Sequence, residues 1–251
     1  MEAIDLTIIA PAFVAGFLIL LTHVPLGQEV VKRGIIFIDL AIAQIAGTGV
    51  IFAFWLGFDA HGVEVQIIAI GSALLGAWGL SLLEKRLLHL QEAFIGVVFV
   101  LAATASLLLL ANNPHGGQQL KDLLVGQILW ITWEQLLPVA IISVLIAFCW
   151  FKFVAARKAL FYYIFAIAIT SSVQLVGVYL VFSSLIIPAL ACRDLESAKS
   201  FKMAFIIGVL SYALGLMLSS IVDLPSGAVI VWVMAIIALF VRRLVSPQVS
   251  S

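Results

Sequence analysis

Charged residues are scarce in this chain. Asp, Glu, Lys and Arg make up only 10% of its 251 residues, whereas apolar residues make up 64%. The mean hydropathy is +1.25. A soluble domain needs far more charge to cover its surface, since about a quarter of an ordinary chain is charged. The composition therefore excludes a water-soluble fold and predicts a protein whose surface is covered by lipid.

Several motifs of catalytic and binding proteins are also missing. No GxxxxGK[ST] phosphate loop and no HExxH zinc motif occurs, so neither an ATPase nor a metalloprotease is expected. Cys149 and Cys192 form no CxxC pair, which argues against a thiolate metal site. The 13 basic residues balance the 13 acidic ones without forming a basic patch, so no nucleic acid is expected as a partner. The chain is predicted not to be an enzyme, and any ATP hydrolysis must occur on a separate subunit.

Long apolar runs dominate what is present. Seven of them are long enough, or nearly so, to cross a hydrocarbon core of about 30 Å, which takes about 20 helical residues. These runs are 6–24, 34–56, 63–83, 93–111, 136–151, 201–221 and 228–241. An eighth block, 159–191, is too long for one crossing and short for two, and it has Gln174 and Gly177 near its middle. We interpret it as two short helices joined by a bend.

The basic residues indicate an orientation. Twelve of the 13 Lys and Arg residues lie in five gaps between apolar runs, and nine passes place all five gaps on one side. These gaps contain Lys32 and Arg33, Lys85 and Arg86, Lys152 to Lys158, Arg193 to Lys202, and Arg242 and Arg243. Because cytoplasmic loops are enriched in Lys and Arg, this side is the cytoplasm. We therefore predict an all-α polytopic membrane protein of about nine passes (eight if the broken pair counts as one), with the N-terminus outside and the C-terminus cytoplasmic.

Five short motifs, in this order and spacing, resemble the permease subunits of ABC importers for zinc and manganese. They are FIDLAIAQIAGTG at 37–49, EAFIGVVF at 92–99, LVGQILW at 124–130, SVQLVGVYLVFSSLIIPALA at 172–191 and DLPSGA at 223–228. The resemblance covers nearly the whole chain. It implies a single transmembrane permease domain over 1–251, without a soluble domain, in the bacterial cytoplasmic (inner) membrane.

The resemblance also implies partners. Permeases of this family pair as homodimers, receive metal from an extracytoplasmic metal-binding protein and are driven by a cytoplasmic ABC ATPase dimer. No cofactor is expected to stay bound; zinc or manganese is the transported substrate. Segment 192–200 corresponds to the family's ATPase-coupling element, expected as a short cytoplasmic helix after a break at Pro188. Its charged residues are Arg193, Asp194, Glu196 and Lys199.

The second apolar run departs from the family pattern. The usual Asp-x-x-x-His places a carboxylate and an imidazole one turn apart on one helix face, as a transient site for a transition metal. Here Asp39 and Gln44 are five positions apart, about 140° around an ideal helix. If Gly49 sets the register, Gln44 occupies the histidine position, and an amide oxygen is a poor ligand for Zn²⁺. Asp39 is predicted to line the pathway, with an ion pair to Arg33 or Lys32 as the structural alternative.

Other polar residues are weaker candidates for the pathway. Gln174 falls at the predicted bend, where unwound carbonyl groups face a polar route. His115 lies in the NPHGG turn, Asp223 begins the DLPSG turn, and Ser226 is a candidate N-cap of the last helix. An outer loop with Asp59, His61 and Glu64 is a further possible metal collector, whereas His23 is interpreted as a helix-terminal residue.

The expected function is therefore import of a divalent transition metal, with zinc first and manganese second, or of a metal chelate because of Gln44. A proton-coupled secondary transporter is the alternative from another class. Such a transporter normally has more ionisable groups inside its helices than Asp39 and Glu92. Dependence of transport on an ATPase subunit separates the two.

Overall fold

The computed structural model describes residues 6–58, 62–86, 90–152 and 157–245. These residues form nine α-helices and one short 3₁₀ helix, with no strand among them. The α-helices are α1 (Leu6–Arg33), α2 (Ile38–Trp55), α3 (Val63–Arg86), α4 (Gln91–Leu110), α5 (Gly116–Val125), α6 (Trp133–Lys152), α7 (Arg157–Ala191), α8 (Ser197–Val222) and α9 (Ser226–Val245), and the 3₁₀ helix is Ile128–Trp130. The predicted all-α fold is confirmed.

Eight of the described helices are long and apolar enough to cross a membrane, all except α5. At 1.5 Å per residue, the ten residues of α5 extend only about 15 Å. Eight is the predicted number of passes when the broken pair counts as one. The orientation of the termini stays a prediction.

The chain divides into two compact units. The first comprises Met1–Arg33, Gln127–Val144 and Tyr179–Ser251, and the second comprises Gly34–Gly126 and Leu145–Val178. Helices α6 and α7 contribute residues to both units. That the whole chain acts as a single permease domain stays a prediction.

Helix α8 is central to the first unit and packs against α1 and α9. Glycines allow these close approaches, because Gly208 lies against the Leu20 side chain of α1 and Gly215 against Ile230 of α9. Tyr212 is fully buried among these helices. Lipid supplies no hydrophobic driving force between helices, so close packing of small residues carries much of the association.

In the second unit, α2 is central and packs against α3 and α4. In the most apolar 18-residue stretch of each helix, 61% of the residues are buried in α2, compared with 28% in α3 and 22% in α4. Gly49 meets Ser72 and Ala69 of α3, and Gly76 meets Ile45. Polar groups on α2 are therefore surrounded by protein, whereas α3 and α4 each turn a wide apolar face outward.

Helix α1 is longer than its apolar run predicts. The run ends at Val24, but the helix continues through Pro25 to Arg33. Proline removes one backbone hydrogen bond. Burial of Val24, Leu26 and Val30 offsets this loss and keeps the helix continuous. His23 consequently lies inside the helix and is fully buried, so its interpretation as a helix-terminal residue was wrong.

The predicted interruption of block 159–191 is found at Gly177. Its backbone, with φ 80° and ψ 162°, is the only non-helical conformation inside α7. The helical stretches before and after it have 20 and 14 residues, or about 30 and 21 Å. The first stretch is long enough to span the hydrocarbon core, and the second falls short of it.

Cysteine labelling tests whether α7 crosses twice. In a variant without Cys149 and Cys192, we expect Lys152→Cys and Ser197→Cys, which flank α7, to react only from the cytoplasm. Gln118→Cys on α5 is the control and should react only from outside. Labelling of the two flanking positions from opposite sides would mean that α7 crosses once and that the predicted orientation is wrong.

Candidate functional site

Asp39 is a buried carboxylate to which the described residues offer no partner. It lies in the first turn of α2 and is 0% exposed, and neither carboxylate oxygen has a hydrogen-bond partner among the described residues. The structural alternative, an ion pair with Arg33 or Lys32, is not among its described contacts; Arg33 Nε pairs with Glu29 at 2.8 Å. Burying an unpaired carboxylate is costly. A cation that reached Asp39 would therefore meet a ligand with no competing donor.

Gln44 belongs to a polar network between α2 and α4. Its Nε2 donates to Ser106 Oγ at 3.3 Å, and Ser106 Oγ lies 2.8 Å from Thr48 Oγ1. Thr48 Oγ1 is also 2.8 Å from the Gln44 carbonyl and 2.9 Å from the Ala102 carbonyl. The Gln44 amide is thus partly engaged in joining two helices.

A small cavity adjoins this network. It has a volume of about 240 Å³ and is lined by the hydroxyl groups of Thr48 and Ser72, by Gly49, and by apolar side chains. Asp39 and Gln44 are not among its lining residues. The cavity offers hydroxyl groups but no charge, which suits water better than a bare metal ion.

Gln174 lies at the bend of α7 and has a partner that the sequence analysis missed. Gln66 Nε2 on α3 donates a hydrogen bond to Gln174 Oε1, and both side chains are exposed. Three residues further on, Gly177 packs directly against Gly126, which ends α5. In the sequence, Gln66 could have been noticed as an uncharged polar residue near the start of an apolar run, and Gly126 as part of the LVGQILW motif.

His115 and Asp223 occupy exposed turns. His115 is the N-cap residue of α5, and its backbone N–H donates to Asn113 Oδ1 at 2.9 Å, so the predicted turn is confirmed. Asp223 follows α8 in the left-handed conformation with φ 55°. Ser226 is the first residue of α9 rather than the residue before it, so its interpretation as an N-cap was wrong.

The pathway candidates do not form one metal centre. No described hydrogen bond or ion pair joins Asp39, Gln44, Gln174 and His115 to one another. Over the ranges that the structure describes, no three His, Cys, Asp or Glu side chains are placed to hold a metal ion. Asp59 and His61 lie outside these ranges. Among the described residues, Asp39 is the acidic side chain whose two oxygens are both buried and unpartnered. A single carboxylate of this kind fits a transient metal site better than a permanently occupied one.

The predicted coupling element differs from the expectation in two ways. Pro188 does not break α7, which continues to Ala191, where the Cys192 N–H still donates to the Pro188 carbonyl at 3.2 Å. The element is not a separate short helix, because 192–196 form a turn and α8 begins at Ser197.

The charged residues of the coupling element all lie at the surface. Arg193 and Asp194 are in the turn, Glu196 is the N-cap residue of α8, and Lys199 follows one turn later. The side chains of Glu196 and Lys199 are 81% and 73% exposed and only 3.5 Å apart. Both side chains are therefore accessible at the surface of the chain.

Comparison with known sequences identifies the chain. The sequence profile of the ABC 3 transport family matches residues 5–156 and 153–244. The chain belongs to the ABC 3 transport family. ABC 3 proteins are the membrane permease subunits of ABC transporters, so this chain is a transport subunit rather than an enzyme. It is an integral protein of the bacterial inner membrane. The predicted family is confirmed.

Relatives of this ABC 3 permease cover most of its length. A probable metal transport system membrane protein of Chlamydia muridarum is 26% identical over 255 residues, covering 90% of this chain and 85% of the relative. The manganese transport system membrane protein MntC of Listeria monocytogenes is 25% identical over 248 residues, covering 89% and 85%. A chain of PsaBC from Streptococcus pneumoniae, solved in complex with Fab, has a TM-score of 0.76 at 18% identity and covers 95% and 92%. This last likeness shows a shared fold.

The contact between Gly126 and Gly177 in the ABC 3 permease leads to a stability prediction. A Cβ atom on Gly177 would overlap the backbone of Val125 and Gly126, and the positive φ adds strain. We expect Gly177→Ala to destabilise the protein by about 2–5 kcal/mol, the sum of overpacking and backbone strain. The measurement is thermal unfolding in detergent, followed by intrinsic fluorescence.

Gly79→Ala is the matched control for this variant. Gly79 is a helical glycine of α3 with nothing within 4 Å of an added Cβ. Its replacement should be neutral or stabilising by up to about 1 kcal/mol. Equal melting temperatures of the two variants would contradict the close packing at Gly177.

Proposed function

We propose that this chain is the permease subunit of an ABC importer for a divalent transition metal. The burial of Asp39 is the observation that carries the proposal, because an unpartnered carboxylate in a membrane-spanning helix is a favourable ligand for a cation that passes it. The names of the relatives, a metal transport system protein and a manganese transport system protein, support the same class of substrate. Asp39 is the primary ligand on the route, and the Gln44 network lies 1.4 helical turns further along α2.

Manganese fits the donors better than zinc. Zinc is the first expectation from the sequence, but Asp39 and Gln44 offer carboxylate and amide oxygen atoms in place of the imidazole of the usual pattern. Oxygen ligands suit Mn²⁺, whereas nitrogen and sulfur ligands favour Zn²⁺. We therefore propose manganese as the first candidate and zinc as the second. Gln174, with its partner Gln66, supplies further amide groups near the bend, and His115 and Asp223 remain further candidates for the route.

Three partners complete the proposed transporter. They are a second copy of the chain, a cytoplasmic ABC ATPase dimer and an extracytoplasmic metal-binding protein. The chain has no phosphate-binding loop of its own, so ATP must bind to another subunit. The charged side chains of Arg193, Asp194, Glu196 and Lys199 form the ATPase-docking surface, and Pro188 lies in the last turn of the helix that leads to it.

The Asp39 carboxylate provides a direct test of the pathway. Asp39→Asn keeps the volume of the side chain and removes the charge that attracts a dication. We expect it to lower ATP-dependent manganese uptake at least about tenfold, equivalent to about 1.4 kcal/mol. Uptake is measured by mass spectrometry of metal in proteoliposomes that contain permease, ATPase and binding protein, with zinc and a metal chelate as competing substrates.

Two further variants and a control define this experiment. Gln44→His introduces a stronger zinc ligand and should shift the substrate preference toward zinc. Gln44→Ala should change uptake only slightly, because Thr48 and Ser106 keep their hydrogen bonds to the Ala102 carbonyl. Asp122→Asn, in α5, is the control and should transport normally. If neither Asp39→Asn nor Gln44→His changes uptake, the route lies elsewhere. If the transporter carries only the chelate, the substrate is the chelate rather than the free metal ion.

Docking of the ATPase is tested by charge reversal. The double variant Arg193→Glu with Glu196→Lys changes two exposed side chains and should leave the permease folded. We expect it to lose co-purification with the ATPase and ATP-dependent uptake, because like charges then face each other across the interface. Lys121→Glu, on α5, is the control. Normal ATPase binding by the double variant would show that the docking surface lies elsewhere.

A further inference from the structure

The turn between α7 and α8 is attached to the end of α9. The Asp194 carboxylate contacts two guanidinium groups: Arg193 Nε in the same turn at 3.4 Å, and Nη1 of Arg242 in the last turn of α9. The Arg242 side chain is 31% exposed, whereas that of Asp194 is 46% exposed. A single carboxylate thus connects two elements that are 48 residues apart in the sequence.

Arg242 also lies beside the C-terminal end of α7. Cys192, the first residue after that helix, is fully buried. Burial raises the pKa of its thiol to about 11, and the positive charge of the nearby Arg242 partly opposes this rise. A cation near a helix C-terminus is favourable, since the last carbonyl groups carry partial negative charge. The ion pair with Asp194 and the attraction to the C-terminal end of α7 therefore both hold Arg242 at this position.

A second attachment lies at the start of α8. Ser200, in its first turn, is buried, and its Oγ accepts a hydrogen bond of 2.8 Å from Gln28 Nε2 on α1. Between the two attachments lies a cavity of about 340 Å³, lined partly by Lys32, Leu195 and Ser197. Segment 193–199 is therefore held at both ends, with open space beside its middle.

We propose that Arg242 is a positioning residue for the ATPase-docking surface, which it holds in place through its ion pair with Asp194. This inference rests on the proposed function. A half-exposed ion pair adds little to the stability of the fold, so its role is geometric. Because of this pair, a force that an ATPase exerts on segment 193–199 reaches α9 as well as α7 and α8, and the three helices move together.

Transport per ATP is the first measurement. In the reconstituted transporter, we expect Arg242→Ala to keep ATPase binding and hydrolysis while metal transported per ATP falls about fivefold or more, a decrease at the lower end of typical coupling between sites. Arg242→Lys keeps the positive charge without touching the docking surface and should recover much of this loss. Arg243→Ala removes the same charge one residue further along α9, on its exposed side, and should behave as the parent.

Mobility of the docking surface is the second measurement, and it needs neither ATPase nor metal. A nitroxide spin label at Ser197→Cys in the folded permease alone should become more mobile in Arg242→Ala. It should return to its original spectrum when the two charges are exchanged, Asp194→Arg with Arg242→Asp. An unchanged label spectrum in Arg242→Ala, or unchanged transport per ATP, overturns the proposal. If the parent complex transports no metal, the proposed function fails, and the label spectrum alone decides the role of Arg242.

Discussion

A hydrocarbon solvent forms no hydrogen bonds, and this constraint determines how the permease is built. Every backbone N–H and C=O group inside the bilayer must be satisfied within the protein, which leaves helices as the only spanning element for such a sequence. Helix association then depends on close contact rather than on expulsion of water. Gly27 against the Leu185 carbonyl and Gly215 against the Ile230 Cα are examples, since a Cβ atom at either glycine would overlap the backbone of the neighbouring helix.

The same constraint makes polar side chains informative. Thr48, Ser106 and Gln44 satisfy one another and the Ala102 carbonyl, so their presence in apolar helices is explained by packing of α2 on α4. Asp39 has no such explanation among the described contacts. The complete network joins two helices, whereas the unpartnered Asp39 is the basis of the proposed ligand on the route.

Composition and periodic apolar runs were sufficient to predict an all-helical membrane protein and the interruption of α7. They failed at helix ends, because hydropathy falls where a helix leaves the hydrocarbon while its hydrogen bonding continues, as in α1 beyond Val24. The break predicted at Pro188 failed for a related reason: one missing N–H does not end a helix whose neighbouring residues, such as Ile186 and Ala189, are buried. The partners of Gln44 and Gln174 are 62 and 108 residues away, and a single sequence carries no signal for such pairings.

Helix α8 has a mechanical consequence. It runs without a proline or an irregular residue from Ser197, beside the charged turn, to Val222, before the Asp223 turn. Its 26 residues make a rod about 39 Å long. A rotation of about 10° around one end of such a rod displaces the other end by about 7 Å. A small tilt at one face of the membrane thus becomes a movement of about 7 Å at the opposite face, with no change in the helix itself.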